Sequence, residues 1–255
     1  MQVSHRFAED SALFDDDNLL SLAGLVPVMT LAEQTRLPHL LAEKVSITQP
    51  RIASGAANPG PNLTTLIAGM CAGADSIDID IVRSGGMRTL FDGVYAPSTV
   101  GTLLREFTFR HARQLESVLR EHLAALCARV DLPPGGAGQV FVDIDSLLRP
   151  VYGHAKHGAS YGHTKIVGKQ VLRKGLSPLA ATLSTEHAAP VIAGMRLRAG
   201  KTGSGKGAGR MVARAIATAR AAGRRVRPWC GAIRPMAPGR WFGLVGGPGR
   251  GSRWC

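Results

Sequence analysis

Two carboxylates stand two residues apart in Asp143-Ile144-Asp145, at the end of the apolar run Val140-Phe141-Val142. Side chains of an extended strand alternate between faces, so this spacing puts both acids on one face. Acids so placed suit a divalent cation, and two-metal phosphoryl-transfer sites hold their ions roughly 3.5–4 Å apart in this way. Taken by its spacing alone, Asp-x-Asp more often means two solvated acids at a strand end. A second motif, Gly200-Lys201-Thr202-Gly203-Ser204-Gly205-Lys206-Gly207, comes near a phosphate-binding P-loop. Gly207 occupies the place of the hydroxyl that would ligate magnesium, and no Asp follows to complete the site. The alternative is a basic strand-to-helix turn that touches phosphate through N–H groups and lysines.

His154, His157 and His163 form a third group, but Lys156 and Lys165 are interleaved with them and their charge opposes a metal. A polar hairpin face fits better, and beside nucleic acid the same segment, with Tyr152 and Tyr161, could contact phosphate and sugar. Lys156, Lys165, Lys169, Arg173 and Lys174 are therefore candidate DNA contacts. Arg105 is a sixth, on a segment that also carries Arg110 and Arg113; the commoner meaning of such a helix is core packing with a solvated basic face.

These residues need elements to hold them. Leu19, Leu22, Leu25, Val26, Met29 and Leu31 recur at helical steps after Asp15, Asp16 and Asp17, which predicts helix across 18–45, kinked or divided at Pro27. A Pro/Gly/Asn-rich stretch from Ala53 to Asn62 precedes an apolar helix over Leu63–Ala72. Leu104, Phe107, His111, Leu115, Val118, Leu119, Leu123 and Leu126 line one face of a helix from Ser98, with Ser98 or Thr99 as its N-cap. Pro133-Pro134-Gly135-Gly136 reads as a linker, after which Gln139–Asp145 has a strand period. Tyr152-Gly153-His154-Ala155-Lys156 and Tyr161-Gly162-His163-Thr164-Lys165 form a short repeat that suits a hairpin. Further strands are expected at Leu179–Leu183 and Pro190–Leu197, then an alanine-rich helix over Arg210–Ala222 closed by Gly223.

The chain has 255 residues, enough for one large or two ordinary domains, and carries a formal charge of +13. Residues 1–145 hold 11 basic and 17 acidic side chains, net −6, whereas 146–255 hold 20 basic and one acidic, Glu186, net +19. The second part is the one suited to a polyanion. Cys71, Cys127, Cys230 and Cys255 show no C-x-x-C spacing, which argues against a zinc ribbon or a disulfide framework and for a reducing compartment. The N-terminal residues do not read as a secretory signal, and no uncharged apolar run reaches the roughly 18 residues of a membrane span. A soluble, cytoplasmic protein is expected. Residues 224–255 combine seven Arg, seven Gly, four Pro and all three Trp without a helix or strand period, and are expected to lack order.

In order along the chain come Gly69-Met70, Gly73-Ala74-Asp75-Ser76-Ile77-Asp78, Arg83-Ser84-Gly85-Gly86-Met87, Ala96-Pro97-Ser98-Thr99-Val100-Gly101-Thr102-Leu103-Leu104-Arg105, Asp143-Ile144-Asp145 and the Tyr-Gly-His repeat. Together, from about Val3 to Gly223, they resemble a bacterial insertion-sequence transposase of the DDE type, in the thirteen-eighty group. The resemblance implies an α+β protein. Its parts would be an N-terminal helical domain over 1–132 and a partial ribonuclease H-like α/β domain over 139–223, followed by the basic tail over 224–255 that composition marks as disordered. It implies magnesium-dependent cleavage and strand transfer at the ends of an element of double-stranded DNA. Asp145, with Asp143 as competitor, would be the first catalytic and metal-binding acid, a second acid would lie on the strand after the Arg210–Ala222 helix, and a third, a Glu, much further on.

Neither later acid is present, since Glu186 is the only carboxylate after Asp145. The chain is thus expected to be a truncated, inactive transposase that binds DNA, or that joins itself or an intact transposase and inhibits it. Back-translating Trp229–Ala237 with GC-rich codons and reading one nucleotide earlier gives Val-Val-Arg-Gly-Asp-Ser-Ala-Tyr-Gly, a strand ending in Asp-Ser that looks like the missing second segment. A frameshift between about Gly223 and Pro228 is the expectation that follows, with the nucleotide sequence as its check.

Overall fold

In a computed structural model, which describes residues 20–48, 57–132, 140–224, 227–228 and 240–246 except positions 78, 85, 88–90, 92, 147, 155, 168, 187 and 204, helices and two antiparallel sheets make an α+β protein. Helix α1 spans Leu25–Gln34 and α2 Leu37–Lys44. The division between them falls at Thr35-Arg36 rather than at Pro27. Pro27 lies in the first turn of α1, where a backbone N–H has no intrahelical acceptor, so its ring costs little there. The Thr35 hydroxyl donates to the Leu31 carbonyl at 2.7 Å and Arg36 turns left-handed at φ 62°, ending α1, while Pro38 occupies the first turn of α2.

Helix α3 covers Pro59–Cys71, α4 Pro97–Arg105 and α5 Phe109–Cys127. The single long helix expected from Ser98 is therefore two. Neither Ser98 nor Thr99 caps α4, which begins at Pro97. The cap lies at the break: the Thr108 N–H donates to His111 Nδ1 at 2.9 Å, in a reciprocal capping box that starts α5. Leu37, Leu40 and Leu41 of α2, Leu63 of α3, Leu103 of α4 and Val118 of α5 form one apolar core. Leu25, Met29, Ala68, Val82 and Met87 form a second beside it.

Strand β1, Val140–Ser146, opens the main sheet. The chain then leaves that sheet through β2 (Arg149–Pro150), β3 (Ser160–Ile166) and β4 (Lys169–Leu176), which form their own sheet in the order β2-β4-β3. It returns as β5, Leu179–Thr185, directly beside β1, and turns into β6, Ala188–Arg196. Helix α6, Ala208–Ala221, follows, and Gly223 ends it at φ 78°, a conformation that favours glycine. Arg224 then ties this end to Asp131 at 2.7 Å. Val140, Val142 and Ile144 of β1, Leu179, Ala181 and Leu183 of β5, and Met211, Ala215 and Ala219 of α6 make the third core, which Leu123 of α5 also enters. Helix α5 is thus buried on two sides, by the helical layer through Val118 and by the sheet through Leu123.

Two strands lie in the stretch whose composition predicts no regular structure: β7, Arg227–Pro228, and β8, Arg240–Gly246. The main sheet has the order β6-β5-β1-β8-β7, with every pairing antiparallel. Trp229, Cys230, Trp254 and Cys255, on which part of the tail reading rests, lie outside the described residues. Among the described residues no helix is long and apolar enough to cross a membrane.

Candidate nucleic-acid interface

Because β1 buries Val140, Val142 and Ile144, it turns Asp143 and Asp145 to the face away from α6. The pair predicted from spacing does share a face. Asp145 is exposed and its Oδ1 accepts the Ser146 N–H at 2.8 Å, while Asp143 is half-buried. Register decides what can join them. Asp143 stands opposite Thr182 on β5 and Phe242 on β8, and Asp145 opposite Ala180 and Arg240. Glu186 lies past the far end of β5, six residues beyond Ala180, which at about 3.3 Å per residue is about 20 Å away. Among the described residues no group of three or more His, Cys, Asp or Glu could hold a metal. Two acids on one strand, with threonine, alanine, phenylalanine and arginine as ladder neighbours, do not fit a pair of magnesium ions.

The excursion between β1 and β5 carries most of the predicted DNA contacts. Ile166 pairs with Lys169, so β3 and β4 form a hairpin closed by two residues, with Val167 at φ 47° and fully exposed at its tip. Tyr161 faces Lys174 across the ladder, His163 faces Leu172 and Lys165 pairs with Gln170. Directly opposed residues share a face, so Tyr161, His163, Leu172 and Lys174 lie together, with Tyr161 63% and Leu172 55% exposed. Lys169 and Arg173 emerge on the other face, both exposed. Lys156 and Tyr152, the latter 81% exposed, belong to the loop before β3. The two Tyr-Gly-His copies consequently do not pair with each other: the first is loop and the second is strand β3, whose partner is β4. Arg105 ends α4, in the helical layer, and is not part of this arm.

Glycine lets the arm join the body. A Cβ on Gly200 would overlap the carbonyl oxygens of Ser160 and Gly175, and one on Gly162 would overlap that of Gly200, so three backbone segments cross there. Ser177 N–H donates to the Arg198 carbonyl at 2.9 Å and Lys201 N–H to Ser160 Oγ at 2.8 Å. The buried Arg198 guanidinium gathers the loop from beneath. Its Nη1 donates to the carbonyls of Lys206 (2.7 Å) and Gly203 (3.3 Å), and its Nε to that of Ser177 (3.0 Å). Burial lowers the Arg198 pKa from the usual guanidinium range, and neighbouring Arg196 adds to this. A P-loop turns several N–H groups into one cradle. Here those of Lys201, Thr202 and Lys206 are already paired, so the resemblance to that motif stops at the glycines.

One group escaped the sequence reading. Glu116 of α5 is buried among three arginines: Arg214 Nη1 lies 2.6 Å and Arg196 Nη2 3.3 Å from Oε1, and Arg113 Nε lies 3.1 Å from Oε2. Burial lowers the Arg113 pKa, Glu116 opposes this, and Arg196, Arg214 and Arg210 push it further down. The available signal was spacing: Glu116, Leu123 and Cys127 recur at seven and eleven residues, a second helical face, and that face meets the sheet.

Compared with models of protein families, with curated proteins and with solved structures, the chain matches none.

Proposed function

We propose that the chain descends from the DDE-type transposases it resembles and, in its present form, holds double-stranded DNA without cutting it. The observation that carries the non-catalytic half is the register beside β1. The strand after α6 that pairs with the Asp-bearing strand offers Phe242 and Arg240 where the resemblance calls for an acid. The ribonuclease H-like reading is supported by the carboxylates on the first strand, the β6-β5-β1 order and the helix that follows β6 and packs on the same sheet. The frameshift belongs to this proposal, because a restored frame would supply an Asp at the codon of Ile233, and the gene's nucleotide sequence tests it directly.

The DNA-binding half is supported by the arm. A two-stranded ribbon has a width that the major groove of B-DNA admits, and this one bears Lys169, Arg173 and Lys174 with exposed Tyr161. Nicking and strand-transfer assays with magnesium or manganese should give no product; robust cleavage abolished by Asp145→Ala would overturn the reading. Duplex DNA should be retained in a salt-dependent way. Each phosphate contact contributes about 0.9 to the slope of log K against log salt, so Lys169→Ala/Arg173→Ala/Lys174→Ala should lower that slope by about 2–3. An unchanged slope removes the arm from the interface.

A further inference from the structure

We infer that the cleft between α1, α2 and α3 is a binding site for a small amine, with an apolar body, an ammonium at one end and a hydroxyl or similar hydrogen-bonding group at the other. One face of each helix meets there. Met29, Thr30 and Glu33 of α1 follow Val26 at three- and four-residue steps, Thr65 and Ala68 of α3 stand three apart, and Val82 lies behind them. The cleft encloses about 370 Å³, within the roughly 300–1,000 Å³ of small-molecule sites. α2 and α3 cannot move together to fill it, because they already touch at one end: a Cβ on Gly60 would stand 2.8 Å from the Ala42 Cα.

Thr65 is the side chain that points to a ligand. Thr35, Thr64, Thr102 and Thr218 each donate to the carbonyl four residues before them. Thr65 lines the cleft at 8% exposure and makes no hydrogen bond among the described residues. A buried hydroxyl left unpaired costs stability, and a ligand's polar end offsets that cost. Around it the floor is apolar, since Met29, Ala68 and Val82 are all buried. The mouth has the opposite character. Thr30 and Glu33 are exposed there, and among the described residues the Glu33 carboxylate has no cationic partner. A carboxylate at the mouth of an apolar cleft, in the part of the chain that carries a net −6, favours a cation over an anion. Depth therefore orders the ligand: hydrogen-bonding group at Thr65, apolar body on the floor, ammonium at Glu33. The cleft belongs to the helical layer, and the inference is independent of the DNA-binding reading.

The test uses the full chain and three probes of one shape. Tyramine has both polar ends, phenethylamine lacks the hydroxyl, and para-hydroxyphenylpropanoate carries a carboxylate in place of the ammonium. Affinities are read by ligand-observed NMR titration at constant ionic strength, and tyramine should bind tightest. Thr65→Val keeps the shape of the side chain and should weaken tyramine about fivefold, the worth of one hydrogen bond, while leaving phenethylamine unchanged. Glu33→Gln changes an exposed side chain; it should weaken both amines about threefold, as an exposed ion pair does, and should not weaken the propanoate. The two losses for tyramine should add in the double variant, because they act at opposite ends of the ligand. No binding of either amine at millimolar concentration, equal affinities for all three probes, or either variant leaving its pattern unaltered overturns the inference.

Discussion

Replacing Glu116 by Gln tests whether this one carboxylate holds α5 to the sheet and to α6. The amide keeps the shape but removes the negative charge that, among the described residues, pairs with Arg113, Arg196 and Arg214. Breaking a buried ion pair by removing one partner costs about 3–5 kcal/mol, because the remaining charge stays desolvated. Arg113 and Arg214 retain 38% and 26% side-chain exposure, so water takes up part of the loss and the low end, about 3 kcal/mol, applies. For a chain of this size 1 kcal/mol moves the midpoint by roughly 2–4 °C, which gives a fall of roughly 6–12 °C. Thermal unfolding followed by far-ultraviolet circular dichroism reads it. Arg196→Met, added to Glu116→Gln, removes the most buried of the stranded cations and should recover part of the loss. A midpoint for Glu116→Gln within about 2 °C of wild type, or losses that simply add in the double variant, would refute charge compensation at this junction.

Gly200→Ala should detach the base of the arm, since the added methyl meets backbone carbonyls on two sides that cannot move aside; an unchanged tryptic cleavage rate at Lys165 and Lys169 would refute this. Burial holds the His122 pKa below the ordinary imidazole value, with a weaker opposing hydrogen bond to the Thr35 backbone. The unfolded chain then binds the proton more readily, so stability falls as pH drops through about 6.5 and levels off below the folded pKa. Urea midpoints at pH 7.5, 6.5 and 5.5 should decline less steeply in His122→Gln than in wild type, and parallel declines would count against it. Arg36→Gly relieves a left-handed backbone at φ 62° and should raise the midpoint by roughly 2–4 °C, for about 1 kcal/mol gained; a lowered midpoint would contradict that account.

Much of the fold was legible because the signals are local. The alternation in Val140–Asp145 and the apolar period of α6 each report one face of one element, and Gly223 marks where the helix must stop. Reading failed where a pattern runs through a break. The apolar face of Leu104, Phe107 and His111 continues across the α4–α5 boundary, and only the Thr108–His111 cap reveals it. Pro27 looked like a breaker and is harmless in a first turn. The Tyr-Gly-His repeat suggested two strands that pair with each other, yet pairing follows the register of β3 with β4.

The chain's sequence by itself determined the charge asymmetry between its two parts, the shared face of Asp143 and Asp145, and the shortage of carboxylates after them. These depend on composition and on a two-residue period, which any strand imposes. Tertiary structure alone decided which groups became neighbours: Arg240 across from Asp145, Lys174 beside Tyr161, and Glu116 among arginines 80 and 98 residues away. Such neighbours come from strand register and from packing that removes charges from water, and both depend on contacts between distant parts of the chain.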